Sequence, residues 1–177
     1  MRYGFGELDF YIGNIWEIAT QAFISPVTDE LHPVVGIGAN LIRRAGPEIA
    51  KELSEQDPIG LGHAFVTKAG TLRAKWLIHA SICTLSSSPT GVNINEALDE
   101  ALSQCQHMAI SSVAIPAMAI DPGELPVKIV ANVIVRSCFR SFKMSRLPER
   151  IVVVVPSEYV ENEFKYVIED LLDKEYQ

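Results

Sequence analysis

Two rhythms of apolar positions run along the chain. Short β-like runs stand at Leu8–Ile12, Ala22–Ser25, Ala64–Thr67, Lys75–Ala80, Ser112–Ile115 and Ile151–Val155. Several are apolar on consecutive residues rather than on alternate ones, the mark of strands covered on both faces. Between them, Ala39–Ala45, Pro47–Leu53, Asn93–His107, Glu124–Phe142 and Ser157–Leu172 carry helical spacing. Leu41, Ala45, Ile49 and Leu53 recur every four residues, but Gly46-Pro47 interrupts that stripe and predicts two helices in place of one. Ser157 offers a hydroxyl to the first free N–H groups of the last helix. Strands alternating with helices predict a three-layer α/β/α sandwich. With no internal repeat and one polar, loop-like stretch, "SSSPTGVN", a single domain over residues 1–177 is expected.

Composition narrows the classes of function. The formal net charge of −7 opposes general nucleic-acid binding, which is built from cations on phosphates. The first ten residues carry Arg2, Glu7 and Asp9 and lack the apolar core of a secretory signal. The longest purely apolar run, Ile151–Val155, is far shorter than the roughly 20 residues a membrane span needs. A cytoplasmic protein without membrane attachment is expected. Cys83, Cys105 and Cys138 form no close pair, which fits free thiols better than a disulfide frame or zinc site.

The candidate chemistry centres on "HPVVGIGANLIRRAG", His32 to Gly46, where two glycines lead into a helix, a layout suited to holding phosphate on backbone N–H groups. It lacks the Gly-Lys-Ser/Thr of a Walker loop. A dinucleotide fingerprint also fails, because Leu41 stands at the third glycine and Asp57 lies in a proline-rich turn. His63, His79 and Cys83 lack the tight pairing of metal ligands, and no metal is assigned. No G-x-S-x-G occurs, and Asp121 with Glu124 reads as a solvated loop. Arg136, Arg140 and Lys143, followed by Arg146 and Arg150, read as a helix C-terminus facing the acidic last helix.

A longer match embraces this loop. "GNI" at Gly13–Ile15, "FISPVT" at Phe23–Thr28 and "VVGIGANLIRRAG" at Val34–Gly46 are followed by "GHAFVTKAGTLRAKWLIHA" at Gly62–Ala80. "VAIPAMAIDPGELP" at Val113–Pro126 and "IVVVVPSEYVENEF" at Ile151–Phe164 complete the series. In this order the segments resemble the macro domain, the ADP-ribose-binding module, over nearly the whole chain. The resemblance implies an α/β/α sandwich on a mixed, mostly parallel sheet, with ADP-ribose or a related nucleotide as ligand and no cofactor.

It also implies the ligand-contacting positions: Asn14 and Ile15 for adenine, Thr28 for the distal ribose, Gly36, Ile37 and Gly38 in the first phosphate loop. Ala119, Ile120, Asp121 and Gly123 fall in the second loop, and Pro156 lies against the base. Several depart from the family pattern. Asn14 replaces an aspartate, and Thr28 replaces the asparagine that orients ribose in active members, so no catalytic residue is assigned. Val34 and Val35 replace glycines, and β-branched residues resist φ > 0, which predicts an altered loop path. Ala119-Ile120-Asp121 replaces Ser-Thr-Gly, removing hydroxyls and adding a carboxylate. Weakened or altered nucleotide binding is expected first. A hydrolase of ADP-ribosyl or acetyl-ADP-ribose esters ranks below it. An interaction scaffold or homo-oligomer, with Val34, Val35, Ile120 and Leu125 as an apolar patch, is the third reading.

Overall fold

Six of the seven strands of the sheet grow from the runs anticipated above, most of them extended by a residue or more, and β1 is an addition. The computed structural model describes residues 1–120 and 124–175. Its strands are β1 (Arg2–Tyr3), β2 (Gly6–Ile12), β3 (Ala22–Thr28), β4 (Ala64–Lys68), β5 (Trp76–Cys83), β6 (Ser112–Pro116) and β7 (Arg150–Val155). The helices are α1 (Ile37–Ala45), α2 (Pro47–Glu55), α3 (Gly91–His107), α4 (Val127–Met144) and α5 (Glu158–Glu175). The sheet order is β1-β2-β7-β6-β3-β5-β4. The inner pairings are parallel, and the edge strands β1 and β4 are antiparallel to their neighbours.

The consecutive valines of β7 show why the sheet is covered twice. Ile151, Val153 and Val155 pack with α3, α4 and α5, while Val152 and Val154 pack on the opposite side with α1 and α2. This is the expected three-layer sandwich. Phe142 and Phe164 are fully buried in the three-helix layer. Cys105 and Cys138 lie sealed there as well, and burial raises both thiol pKa values, that of Cys105 to about 12.

Local chemistry sets the boundaries. Gly46 adopts φ 108° and Pro47 opens α2, so the four-residue stripe is split as expected. Thr90 caps α3 by accepting from the Asn93 N–H at 3.2 Å, so that helix begins at Gly91, ahead of the expected Asn93. The helix expected from Glu124 begins instead at Val127, because the residue before Pro126 is disfavoured in helical conformation. Ser157 accepts from the Val160 N–H at 3.4 Å. Ser157→Ala is expected to cost roughly 0.5–1 kcal/mol, the usual worth of such a cap, as a lowered midpoint in urea unfolding.

The basic stripe divides. Arg140 turns to α3, where Asp99 holds it at 2.9 Å beside Asn95 and Ser137. Lys143 reaches Glu175 at the end of α5, and Arg150 reaches Asp9 on β2. Lys174 foremost, then Lys128 and Arg136 of α4, hold the Asp170 carboxyl below its usual range, so the expected meeting with the acidic last helix is made by Arg136 as well as by Lys143. Helix spacing explains the split, since consecutive basic positions rotate from one neighbouring helix toward the other.

Candidate functional site

Strands β6, β3 and β5 are adjacent and parallel, so the segments leaving their C-terminal ends emerge together. They enclose a hollow of about 410 Å³, lined by Thr28 and Pro33–Val35 after β3, Cys83–Pro89 after β5, and Glu124. The loop after β3 is a tight, self-bonded turn. The Thr28 N–H donates to the His32 carbonyl at 2.8 Å, and the His32 N–H donates back to Thr28 Oγ1 at 3.1 Å. Leu31 takes φ 63° and Gly36 φ 90°, so the left-handed turns fall there, while Val34 and Val35 keep negative φ. Val34 packs against the core and Val35 projects, 88% exposed.

Gly36 is the N-cap of α1, which places the free N–H groups of the first turn, Ile37 and Gly38, at the end of the sheet where the hollow lies. Gly38 has an additional role that its place in a phosphate-loop motif did not suggest. A Cβ there would overlap the carbonyl oxygen of Pro26, so the glycine lets α1 lie on β3. Pro26 itself is tolerated in a central strand. Its carbonyl accepts from the Val34 N–H at 3.1 Å, so its nitrogen faces the loop, beyond the point where pairing with β6 ends at Phe23.

Asn14, Ile15 and Pro156 leave the same end of the sheet. Ile12 is paired with Val155, and the Gly13 N–H donates to the Val155 carbonyl at 3.1 Å. Ile15 is buried, whereas Asn14 and Pro156 are exposed. The Asn14 amide donates to Glu17 Oε1 at 2.8 Å, which orients its NH₂ group and leaves the amide oxygen as an acceptor. This corner lies three strand spacings from Thr28, about 14 Å.

The sequence model of the macro domain matches residues 24–134, from within β3 to the first half of α4. The chain belongs to the macro domain family. An uncharacterized protein of Mycobacterium tuberculosis is 28% identical over 163 residues, covering 92% of this chain and 45% of that protein. The chain spans about half the length of the curated relatives it matches at this level. Among solved structures, the Oceanobacillus iheyensis macrodomain with ADP superposes with TM-score 0.87 at 17% identity, covering 98% of this chain and 96% of that one. The Trypanosoma brucei macrodomain in complex with ADP-ribose gives 0.80 at 12% identity, covering 91% and 68%.

In this macro domain the second loop begins inward. Ala119 is buried with φ 60°, and its carbonyl accepts from the Leu125 N–H at 3.0 Å. Ile120 and Leu125 pack against the core beside Val34, so of the four residues expected to form an apolar patch only Val35 is exposed. Asp121 and Gly123 lie outside the described residues.

Electrostatics at the hollow are acidic. Cys83, paired in register with Thr28, has its thiol pKa raised by burial and then by the carboxylates of Glu124 and Asp29. No lysine, arginine or histidine is among the described residues lining the hollow. Cys83, Asp29 and the hydroxyl-rich segment Thr84–Ser88 were missed as site residues from sequence. Their signal was positional, a Ser/Thr run directly after a strand parallel to the one ending at Thr28.

The two strand histidines have separate surroundings. His63 is exposed and lies 2.7 Å from Glu100. His79 is buried between α1–α2 and the sheet, with Nε2 2.9 Å from Thr67 Oγ1. No helix among the described residues is long and apolar enough to cross a membrane.

Proposed function

We propose that this macro domain binds ADP-ribose or a related nucleotide, with affinity reduced by its altered loops, and does not hydrolyse it. The observation that carries the reading is the convergence of the β3 and β5 exits on one hollow, with α1 beginning two residues after Val35 of its lining. Asn14 and Pro156 stand on the same end of the sheet, at a distance that a nucleotide can bridge. The amide oxygen of Asn14 suits an exocyclic amine, and Pro156 offers a flat apolar ring to a base. The first turn of α1 contributes free N–H groups and the positive end of a helix dipole, a modest attraction for phosphate.

Loss of catalysis follows from Thr28. Its hydroxyl is shorter than an amide and already accepts from the His32 N–H, so it cannot hold both a ribose and a water as an asparagine amide could. The relatives of greater length make the activity and partners of any larger protein part of this proposal.

Calorimetry with ADP-ribose is expected to give a Kd of ~10–300 μM, roughly −5 to −7 kcal/mol. The same protein is expected to release no ADP-ribose from an ADP-ribosylated peptide above the buffer rate. Absence of heat at millimolar ligand would remove the binding reading, and clear turnover would restore the hydrolase.

A further inference from the structure

Strand β2 leaves part of one sheet edge open. The Glu7 and Gly13 N–H groups donate to the Glu149 and Val155 carbonyls at 2.8 and 3.1 Å, so the odd-numbered residues between them face β7 and the even-numbered ones face away. Leu8, the first of these outward residues after the β1 pairing, is closed by Met1. The Met1 amine donates to the Leu8 carbonyl at 2.9 Å, and the Leu8 N–H donates to the Met1 carbonyl at 2.8 Å. Beyond it, the N–H and C=O groups of Phe10 and Ile12 have no partner among the described residues. No proline, lysine or bulge blunts this stretch, and Tyr11 and Ile12 are 38% and 46% exposed.

These four groups are self-complementary. A second copy of the strand, laid antiparallel about a two-fold axis through Tyr11, satisfies all of them. Phe10 of each copy exchanges both bonds with Ile12 of the other, and Tyr11 faces Tyr11. On the α5 side, where Phe10 already meets Phe164 edge-on at 5.7 Å, this register twice sets a phenyl ring against a β-branched side chain, a favoured cross-strand pair. Each chain carries a net charge of −7, but Asp9 is held by Arg150 at 2.7 Å and Glu161 by Lys165 at 2.6 Å. That leaves Glu169 as the one unpaired acid among the described residues lining the cleft between this edge and α5. We infer that the β2 edge is an interface between two copies of this chain, joining their seven-stranded sheets into one. A strand from another protein would meet the same backbone groups, but the stretch left open by Met1 is as short as the segment of the second copy that fills it.

So short a joint belongs with weak interfaces below ~1,200 Å², and sedimentation velocity is expected to show monomer at ~10 μM and mostly dimer at ~500 μM. Ile12→Pro removes one outward donor from each copy and no bond of the sheet, and should weaken the dimer about tenfold or more. Tyr11→Cys brings two thiols onto the axis, where facing Cα atoms about 4.5 Å apart suit a disulfide. In oxidised glutathione it is expected to couple at least about ten times faster than Val35→Cys, a more exposed control on the hollow. A dimer indifferent to Ile12→Pro, or Tyr11→Cys coupling no faster than Val35→Cys, would overturn the inference. A monomer at ~500 μM would overturn it as well and leave the edge to a strand of another protein.

Discussion

Gly38→Val is expected to destabilise the protein by about 3 kcal/mol, the upper end of what overpacking costs in a core without room to relax. The added Cβ meets the backbone carbonyl of Pro26, which is fixed on one side by β5 and on the other by the Val34 N–H. Neither atom can rotate away as a side chain would. Helix α1 must lift from β3, pulling on Gly36 and on Val34 and Val35, which line the hollow just before it, so ligand binding should fall with stability. Ala39→Val is the control, since it adds the same side chain one residue later on the exposed face and costs ~0.5 kcal/mol in helix propensity. Urea unfolding of both variants reads the difference. Equal midpoints would mean that α1 does not depend on that contact.

Acid is expected to weaken the fold through His79. Thr67 Oγ1 donates to the Lys68 carbonyl at 2.8 Å, so it accepts from His79 Nε2–H, and Nδ1 carries the lone pair. Nδ1 has no partner among the described residues, and protonating it would place a charge in an apolar layer. Burial accordingly lowers the imidazole pKa from 6.5 to about 3. The folded value is below the unfolded one, so the unfolded chain binds the extra proton as pH falls. Stability from this group is complete above about pH 6.5 and is lost progressively toward pH 3. The loss between pH 7 and pH 5 should be about 2 kcal/mol. His79→Gln keeps a donor for Thr67 without a titrating nitrogen, and it should remove that part of the pH dependence even if it lowers stability overall. Denaturant unfolding at both pH values gives the slopes, and identical slopes in the two proteins would eliminate His79 as the cause. The remaining histidines lie at the surface.

The layers were legible because consecutive apolar residues can be read directly, and β7 alone requires two covered faces. The break at Gly46-Pro47 was legible for the same reason, since both residues act through their own backbones. β1 was not, because Arg2–Tyr3 is too short to show a period and exists through its pairing with Gly6 and Glu7. The extension of β3 through Pro26 was hidden as well. Proline argues against a central strand, and only the end of the β6 pairing at Phe23 makes it harmless. At the site, sequence order located the two loops, and the sheet places both at one end. What the order could not supply was side-chain direction. Val34, Ile120 and Leu125 turn into the core, Gly38 serves packing, and the partner wall of Ser86–Ser88 comes from a strand more than 50 residues away from Thr28 in the chain.

The unequal placement of the three cysteines makes the native chain its own reporter. All three are buried, but Cys83 keeps 6% of its surface exposed and borders the hollow, whereas Cys105 and Cys138 are wholly enclosed by helices. An uncharged alkylating reagent therefore reaches this thiol first, slowly because burial raises its pKa, and neighbouring carboxylates turn away anionic reagents. The two enclosed thiols become reactive when the helical layer opens. Labelling at the first position reads occupancy of the mouth, and labelling at the other two times the loss of the fold, with no residue having to be introduced.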